Sequence, residues 1–509
     1  DRAAPELEKL EHVRTSSIPL DEVFFTRGRC AFRNERWAEA IQWYQKARGK
    51  ARTGDRRADY EVHIGRTWEL AGDLDEAVNA AVRAVRLDTT DDRRLFLARL
   101  RLRRGESGAA ERGISHLRGR TARARGDLML AADAIRRGDL ESASDRLKRV
   151  RRRPWSVPAA VLAAQLAFAN GEWEVGVELL ERGAPSFDSF WGQHARSLMA
   201  GVPGQRLEAW REKRRRDVDG VTGRSRWRAL GLWAHLEPDQ HRLENIRGRV
   251  AAESNLEEKF AAEWFPPGLA AELWNLGLEV ESGKWDASGF PDSEAVRSAW
   301  SAARFAAYDM PWSAVRKADA AWRQAGPEVP LVAFPADFQK TAYPLPNREA
   351  VRDAAQRAGL EWSLLASVAR EESRWNPRAL SVAGARGLVQ LMPATARSVA
   401  ERLGVAPPAP GDLFNPGTSL RLGAAELARL LGVFGGRAAP AVAAYNAGEQ
   451  QAKIWLEQCG TGCTDALYVA NISFAATRAY TSTVLAGASM YRSLYEMDDD
   501  RSSSVAIND

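Results

Sequence analysis

Two glutamates stand side by side where an apolar run ends, in the stretch LLASVAREESRWNPRAL (Leu364–Leu380). Adjacent carboxylates can share general-acid and general-base work, or one of them can be a plain surface charge. Helical geometry separates the two. The spacing predicts a helix from near Glu361 to Arg374, stopped by Asn376-Pro377. At about 100° per residue, Leu364, Leu365, Val368 and Ala369 form one stripe, and Glu372 projects within roughly 20° of its centre. Glu371 falls toward the edge, nearer Ser367 and Arg370, and reads as a surface charge paired with an arginine. Glu372 is the anomalous residue, a carboxylate aimed at the core side. Near a helix C-terminus it faces the negative end of the dipole, and partial burial disfavours its charged form. Both effects raise its pKa, which suits a general acid at neutral pH. The competing reading is a buried glutamate held by hydrogen bonds.

Other polar groups follow. SVAGARGLVQLMP supplies Ser381 and Gln390 among small residues, and AVAAYNAGEQQ supplies Tyr445 and Asn446. A serine, amides and a phenol are groups that orient sugar hydroxyl and N-acetyl groups. A second acid is marked by no comparable motif; Asp412, Glu449 and Asp465 are candidates by position alone.

Something must hold these residues in place, and the rest of the chain reads as helix. Gly72, Gly105, Gly138 and Gly171 recur every 33 residues in WELAGDLDEA, RLRRGESGAA, AIRRGDLESA and AFANGEWEVG. An earlier copy, AFRNERWAEA, carries Trp37 where the others have Leu74, Ser107, Leu140 and Trp173. Apolar residues such as Ala77, Ala81, Ala84 and Val85 recur at helical spacing around the turns. Helix, glycine turn, helix at this period describes an α-solenoid, and the pattern resembles tetratricopeptide repeats. Past about residue 200 the repeat fades, and Trp210, Trp227, Trp233, Trp264, Trp274, Trp285, Trp300, Trp312 and Trp322 read as helix packing, with sugar stacking as the alternative. Breaks at WFPPG, SGFPD and AGPEVPLVAFP precede YPLPNREAV, where Asn347 is an expected N-cap and a new domain begins. The expected division is a tetratricopeptide-like superhelix over 1–255, a helical linker over 256–342, a third domain over 343–495 and a disordered acidic tail over 496–509.

The 509 residues carry 73 Lys and Arg against 67 Asp and Glu, a net charge of +6, with arginine concentrated in the first half. That arginine reads as a solvated helix face or as attraction to a polyanion, nucleic acid or an acidic cell-wall polymer. No nucleic-acid motif accompanies it. No run of apolar residues is long enough to predict a membrane span. The opening DRAAPELEKL lacks the basic start and apolar core of a signal peptide, so the expectation is either a cytoplasmic protein or a mature form with its signal removed. Of three cysteines, Cys459 and Cys463 in CGTGC could close a small disulfide; Cys30 reads as a buried small apolar residue.

The segment from about Tyr343 to Tyr495 resembles the catalytic domain of the soluble lytic murein transglycosylases. The motifs that carry the resemblance are Glu372-Ser373, SVAGARGLVQLMP from Ser381, LFNPGTSLRLG (413–423) and AYNAG (444–448), in the family's order. The helical superhelix and linker fit the same family. The resemblance therefore implies an all-α chain with a lysozyme-like catalytic domain. It implies Glu372 as the single catalytic acid/base, with Ser373, Ser381, Gln390, Met392, Tyr445 and Asn446 along the glycan cleft. Val389 replaces the usual Met. Where relatives read Glu-x-Ile-Pro-Phe-x-Glu-Thr-Arg-x-Tyr, this chain has ANISFAATRAY: Ala470, Ser473 and Ala476 replace Glu, Pro and Glu, while Thr477, Arg478 and Tyr480 remain. The missing acids bear on substrate positioning and on the pKa of Glu372.

The resemblance further implies cleavage of the bond between N-acetylmuramic acid and N-acetylglucosamine. Glu372 protonates the leaving oxygen, the 2-acetamido group stabilises the cationic carbon, and Glu372 then takes a proton from the muramic 6-hydroxyl as it attacks. The product is a 1,6-anhydro sugar; neither water nor a metal or other cofactor is consumed. Peptidoglycan strands are the implied partner, with cell-wall proteins on the superhelix, and the bacterial periplasm the implied compartment, where Cys459 and Cys463 would be joined. The alternatives are a lysozyme-type hydrolase, a glycan-binding solenoid adaptor that does not cut, and a nucleic-acid-binding solenoid.

Overall fold

The computed structural model describes residues 18–183, 188–221, 310–325 and 336–505, with scattered positions between 229 and 334. Every element in them is helical: α1 Leu20–Arg33, α2 Trp37–Lys50, α3 Gly54–Ala71, α4 Leu74–Leu87, α5 Asp91–Arg103, α6 Ser107–Ser115, α7 Arg120–Arg136, α8 Leu140–Arg149, α9 Ser156–Ala169, α10 Trp173–Gly183, α11 Phe190–Ala200 and α12 Gly204–Asp219. Later come α13 Pro311–Ala325, α14 Ala336–Ala342, α15 Arg348–Ala358, α16 Trp362–Ser373, α17 Pro393–Arg402, a short 3-10 turn Pro410–Phe414, α18 Pro416–Val433, α19 Ala438–Ala447, α20 Glu449–Cys459, α21 Asp465–Asn471 and α22 Ala475–Val505. The all-α class read from the sequence is what these residues form.

The 33-residue glycines end the first helix of each hairpin. Gly72, Gly105, Gly138 and Gly171 have φ of 91°, 83°, 78° and 77°, the left-handed region that costs glycine least. Each is followed by an N–H that reaches five residues back, as Asp73 to Trp68 O (3.0 Å) and Glu106 to Arg101 O (2.8 Å). That closes the last helical turn and satisfies its orphan carbonyls. In the earlier copy the same turn is made by Glu35 at φ 56°, with Arg36 N–H on Ala31 O at 3.0 Å. Ala77, Ala81 and Ala84 are fully buried, so α4 can approach its neighbours closely. Ile64 and Leu100 are also sealed from solvent, each adding roughly 1.5–3 kcal/mol of burial.

Part of the arginine richness is structural rather than a solvated face. Arg93 is 7% exposed and bridges Asp55 (2.9 Å), Asp59 (2.7 Å) and Asp88. Glu69, 2% exposed, accepts from Arg99 at 2.6 Å and Arg103 at 3.3 Å. A guanidinium fork can serve several acids on neighbouring helices, which an exposed-face reading misses.

By packing, the chain forms two compact units. One joins the described part of residues 1–166 to 453–471; the other joins 167–452 to 472–509. In the first, α21 packs on α7, and Arg103 bridges Glu457 at 3.0 Å. Cys459 and Cys463 in that segment are joined in a disulfide. In the second, α16 packs against α22, and α15 against α18. Asn347 does precede α15, but its side chain makes no capping bond; its backbone takes φ 56°, which asparagine tolerates. Trp227, Trp264, Trp274, Trp285 and Trp300, and most of the segment 256–342, lie outside the described residues. Of the tail at 496–509, residues up to Val505 lie on the end of α22 and the last residues outside the description. No helix among the described residues is long and apolar enough to cross a membrane.

Candidate active site

Helix α16 opens on Glu361, whose carboxylate accepts from the Ser363 and Leu364 N–H groups at 3.2 Å each. Its apolar stripe is buried as the spacing predicted: Leu365, Val368 and Ala369 are sealed and Leu364 is 6% exposed. The helix ends in two consecutive left-handed residues, Arg374 at φ 51° and Trp375 at φ 66°. Trp375 drops into the core, and its Nε1–H donates to the Tyr491 hydroxyl (2.9 Å), which donates to the Pro344 carbonyl (2.9 Å). Left-handed backbone at two non-glycine residues costs energy, and the buried indole anchors it.

One turn back, the buried Arg370 donates from Nε to Ala342 O (2.8 Å) and from its fork to Asp319 of α13 (2.5 Å). Its guanidinium lies 4.1 Å from the Tyr343 ring. The end of α16 is thus pinned on both sides of the two glutamates.

Glu372 is half-buried, and desolvation pushes its carboxyl up to about 7. The Tyr480 hydroxyl of α22 opposes that rise and the charge of Glu371 adds to it. Tyr480 makes no hydrogen bond of regular geometry within the protein, yet it lies close enough to the carboxylate to be felt there. Tyr445 of α19 is raised by burial and then by Glu372. Glu372 therefore lies near two phenols, the buried Tyr480 and the half-buried Tyr445, one from each of two helices. Glu371 is also half-buried, against the expectation of a plain surface charge. Burial raises it, while Arg370 and Arg374 pull it down. The helical-face argument placed Glu371 too far out: its carboxylate feels Arg370 and Asp319 of α13 at that edge.

The other predicted residues lie on the 379–391 loop, at the start of α17, on α19 and at the end of α16. Tyr445 donates to Val389 O at 2.8 Å, fixing the 379–391 loop to α19. Within that loop Ser381 Oγ accepts from the Ala385 N–H (2.9 Å). Gln390, itself left-handed at φ 48°, donates its amide to Ala379 O (3.0 Å) and Gly387 O (2.9 Å). Gly387 lets the loop close on the 3-10 turn: a Cβ there would lie 1.9 Å from Leu413 O, and its φ is 77°. Met392 is 39% exposed at the start of α17. Exposed Asn446 accepts from the Thr477 hydroxyl at 2.8 Å. Ser373 turns back to its own helix, donating to Ala369 O at 3.0 Å.

Sequence reasoning named Tyr480 and Thr477 only as survivors of a degraded motif. The structure sets the first against Glu372 and the second under Asn446. The signal was present in ATRAY, whose Thr and Tyr stand three residues apart on one helical face. Of the missing acids, Ala476 lies exposed and Ala470 is 8% exposed. Two of the acids considered as a second carboxylate are committed elsewhere. Asp412 accepts from the Ala409 N–H (2.8 Å) in the 3-10 turn, and Glu449 pairs with Arg429 (2.8 Å).

Comparison with known proteins agrees with the region. The transglycosylase SLT domain matches residues 349–467. The soluble lytic murein transglycosylase of Escherichia coli (strain K12) is 32% identical over 164 residues, 32% of this chain and 25% of the relative. That of Salmonella typhimurium is 32% identical over 157 residues, 31% of this chain and 24% of the relative. The matched stretch is thus about a quarter of the length of these curated relatives. Among solved structures, an inactive mutant of the lytic transglycosylase Slt from Pseudomonas aeruginosa is 18% identical, covers 96% of this chain and 89% of that one, and gives a TM-score of 0.38. Residues 349–467 thus match a transglycosylase SLT domain, and over this region the chain is similar to soluble lytic murein transglycosylases.

Proposed function

We propose that the chain is a lytic murein transglycosylase that cleaves the β-1,4 bond between N-acetylmuramic acid and N-acetylglucosamine, with Glu372 as its single acid/base and residues 343–495 as its catalytic domain. The observation that carries this reading is the half-buried Glu372 carboxyl, pushed up to about 7 between two tyrosines. A carboxyl titrating near neutrality holds a proton to give and, once ionised, can take one back. It first protonates the leaving glycosidic oxygen. The substrate's 2-acetamido group stabilises the cationic carbon. The ionised Glu372 then accepts the proton of the muramic 6-hydroxyl as that oxygen bonds to the same carbon. The proton given in the first step returns in the second, and the product is a 1,6-anhydro sugar.

The roles follow position. Tyr480 keeps Glu372 from rising further; Tyr445 holds the 379–391 loop. Gln390, Ser381, Met392 and Asn446 line the glycan cleft, and Ser373 completes the turn after the acid. A hydrolase would need a carboxylate to activate water, and Asp412 and Glu449 are engaged elsewhere. The periplasm fits a peptidoglycan substrate and the Cys459–Cys463 disulfide. Cell-wall proteins are proposed to meet the chain through its superhelix. Digestion of purified peptidoglycan with product masses read by mass spectrometry tests the reaction. Anhydro-ended muropeptides are expected; products heavier by one water would make the chain a hydrolase, and no products would favour the adaptor.

A further inference from the structure

Four arginines of the superhelix meet at one hollow with a single acid among them. Arg48 stands in the last turn of α2 and Arg86 in that of α4, with Arg83 one turn earlier; Arg57 and Glu61 lie on α3. These five line a cavity of about 450 Å³, room for a small anion and several waters at about 30 Å³ each. Glu61 is 1% exposed, and its Oε1 accepts from Arg48 Nη1 and, at 3.0 Å, from Arg83 Nε. Its other oxygen, Oε2, is buried without a hydrogen-bond partner. Arg57 donates from Nε to Ala51 O at 3.0 Å, and its fork meets no acid among the described residues. Arg86 has neither an ion pair nor a hydrogen bond among them. An arginine in a last turn answers the negative end of a helix, equivalent to about half a charge. With the ends of α2 and α4 and Glu61 all counted, about two positive charges at the cavity stay uncompensated.

We propose that this cavity binds inorganic phosphate. Its guanidinium groups come from three helices. A planar carboxylate presents one edge to one fork, whereas a tetrahedral oxyanion presents acceptors in several directions. Glu61 then decides which oxyanion enters. A buried carboxylate oxygen without a partner calls for a donor. Hydrogen phosphate is a dianion that keeps one P–O–H at neutral pH, so it matches both the surplus charge and Oε2. Sulfate and phosphodiesters carry no such proton, and each would set a lone pair against that oxygen. The same carboxylate thus admits phosphate and turns away nucleic-acid backbones and diester headgroups of lipids. Only α2, α3 and α4 take part, so the inference is independent of the proposed cleavage.

The test is isothermal titration calorimetry of the full chain with sodium phosphate, sodium sulfate and dimethyl phosphate, at neutral pH and constant ionic strength. Saturable binding of phosphate is expected, with sulfate and dimethyl phosphate at least about tenfold weaker. Arg57 and Arg86 are exposed and hold no ion pair, so Arg57→Gln with Arg86→Gln should leave the melt in phosphate-free buffer unchanged. That double variant is expected to weaken phosphate binding at least about tenfold. Glu61→Gln, whose amide can donate where the carboxylate only accepts, should narrow the gap between phosphate and sulfate. No saturable phosphate binding, sulfate bound as tightly as phosphate, or equal phosphate binding by the folded double variant overturns the proposal. A phosphate–sulfate gap that survives in folded Glu61→Gln overturns the role given to Glu61.

Discussion

At the scale of single residues, environment divides two adjacent glutamates. Both are half-buried, but Arg370 and Arg374 draw Glu371 down while nothing cationic acts comparably on Glu372, which reaches about 7. The consequence for activity has a definite sign. In the proposed reaction Glu372 begins protonated, so kcat/KM is expected to fall as pH rises through about 7. Tyr480 holds that carboxyl down; Tyr480→Phe should move the falling limb to higher pH, measured as a pH–rate profile on soluble glycan. The consequence for stability also has a sign. A carboxyl whose folded pKa is raised from 4.5 to about 7 binds its proton more tightly in the fold, so its contribution is lost as pH rises from 4.5 to about 7. Glu372→Gln should therefore raise Tm at pH 8 and change it little at pH 4, read by thermal melts at the two pH values.

At the scale of elements, turns and helix ends decide more than helix interiors. The αL turns of the superhelix use glycine at Gly72, Gly105, Gly138 and Gly171, but Glu35 makes the same turn with a side chain. Glu35→Gly should stabilise the chain by about 1 kcal/mol, seen in urea unfolding, since only the side-chain penalty of left-handed backbone is removed. In the candidate site, Gly387→Ala should do the reverse: its Cβ would enter Leu413 O, so both Tm and turnover should drop. The turns were legible in the sequence because glycine marks them at a fixed period. Glu35 was legible only by alignment to the later copies, and the left-handed Arg374–Trp375 pair was not legible at all. Its cause is long-range: the Trp375 indole finds Tyr491, 116 residues away.

At the scale of the whole molecule, the all-α class, the repeats and the acidic residue at the end of α16 could be read from periodicity and spacing. The two phenols facing Glu372 could not, since α19 and α22 are brought to α16 by tertiary packing. The same holds for Asp319. It lies outside the matched transglycosylase domain, yet it takes the buried Arg370 fork at 2.5 Å. Asp319→Ala would leave that guanidinium buried without its acid, so the full chain should lose on the order of 3 kcal/mol, seen as a lowered Tm in a thermal melt. A Tm equal to that of the parent would show that α13 does not brace α16.

The central claim is that Glu372, and not its neighbour, moves the proton. Turnover of purified peptidoglycan by Glu372→Gln and Glu371→Gln, each checked for fold by its melt, tests it most directly. The predicted result is a loss of roughly 10²–10⁴-fold or more for Glu372→Gln, with glycan binding retained. Glu371→Gln should keep most of its activity. Full turnover by Glu372→Gln, or a collapse confined to Glu371→Gln, would contradict the account.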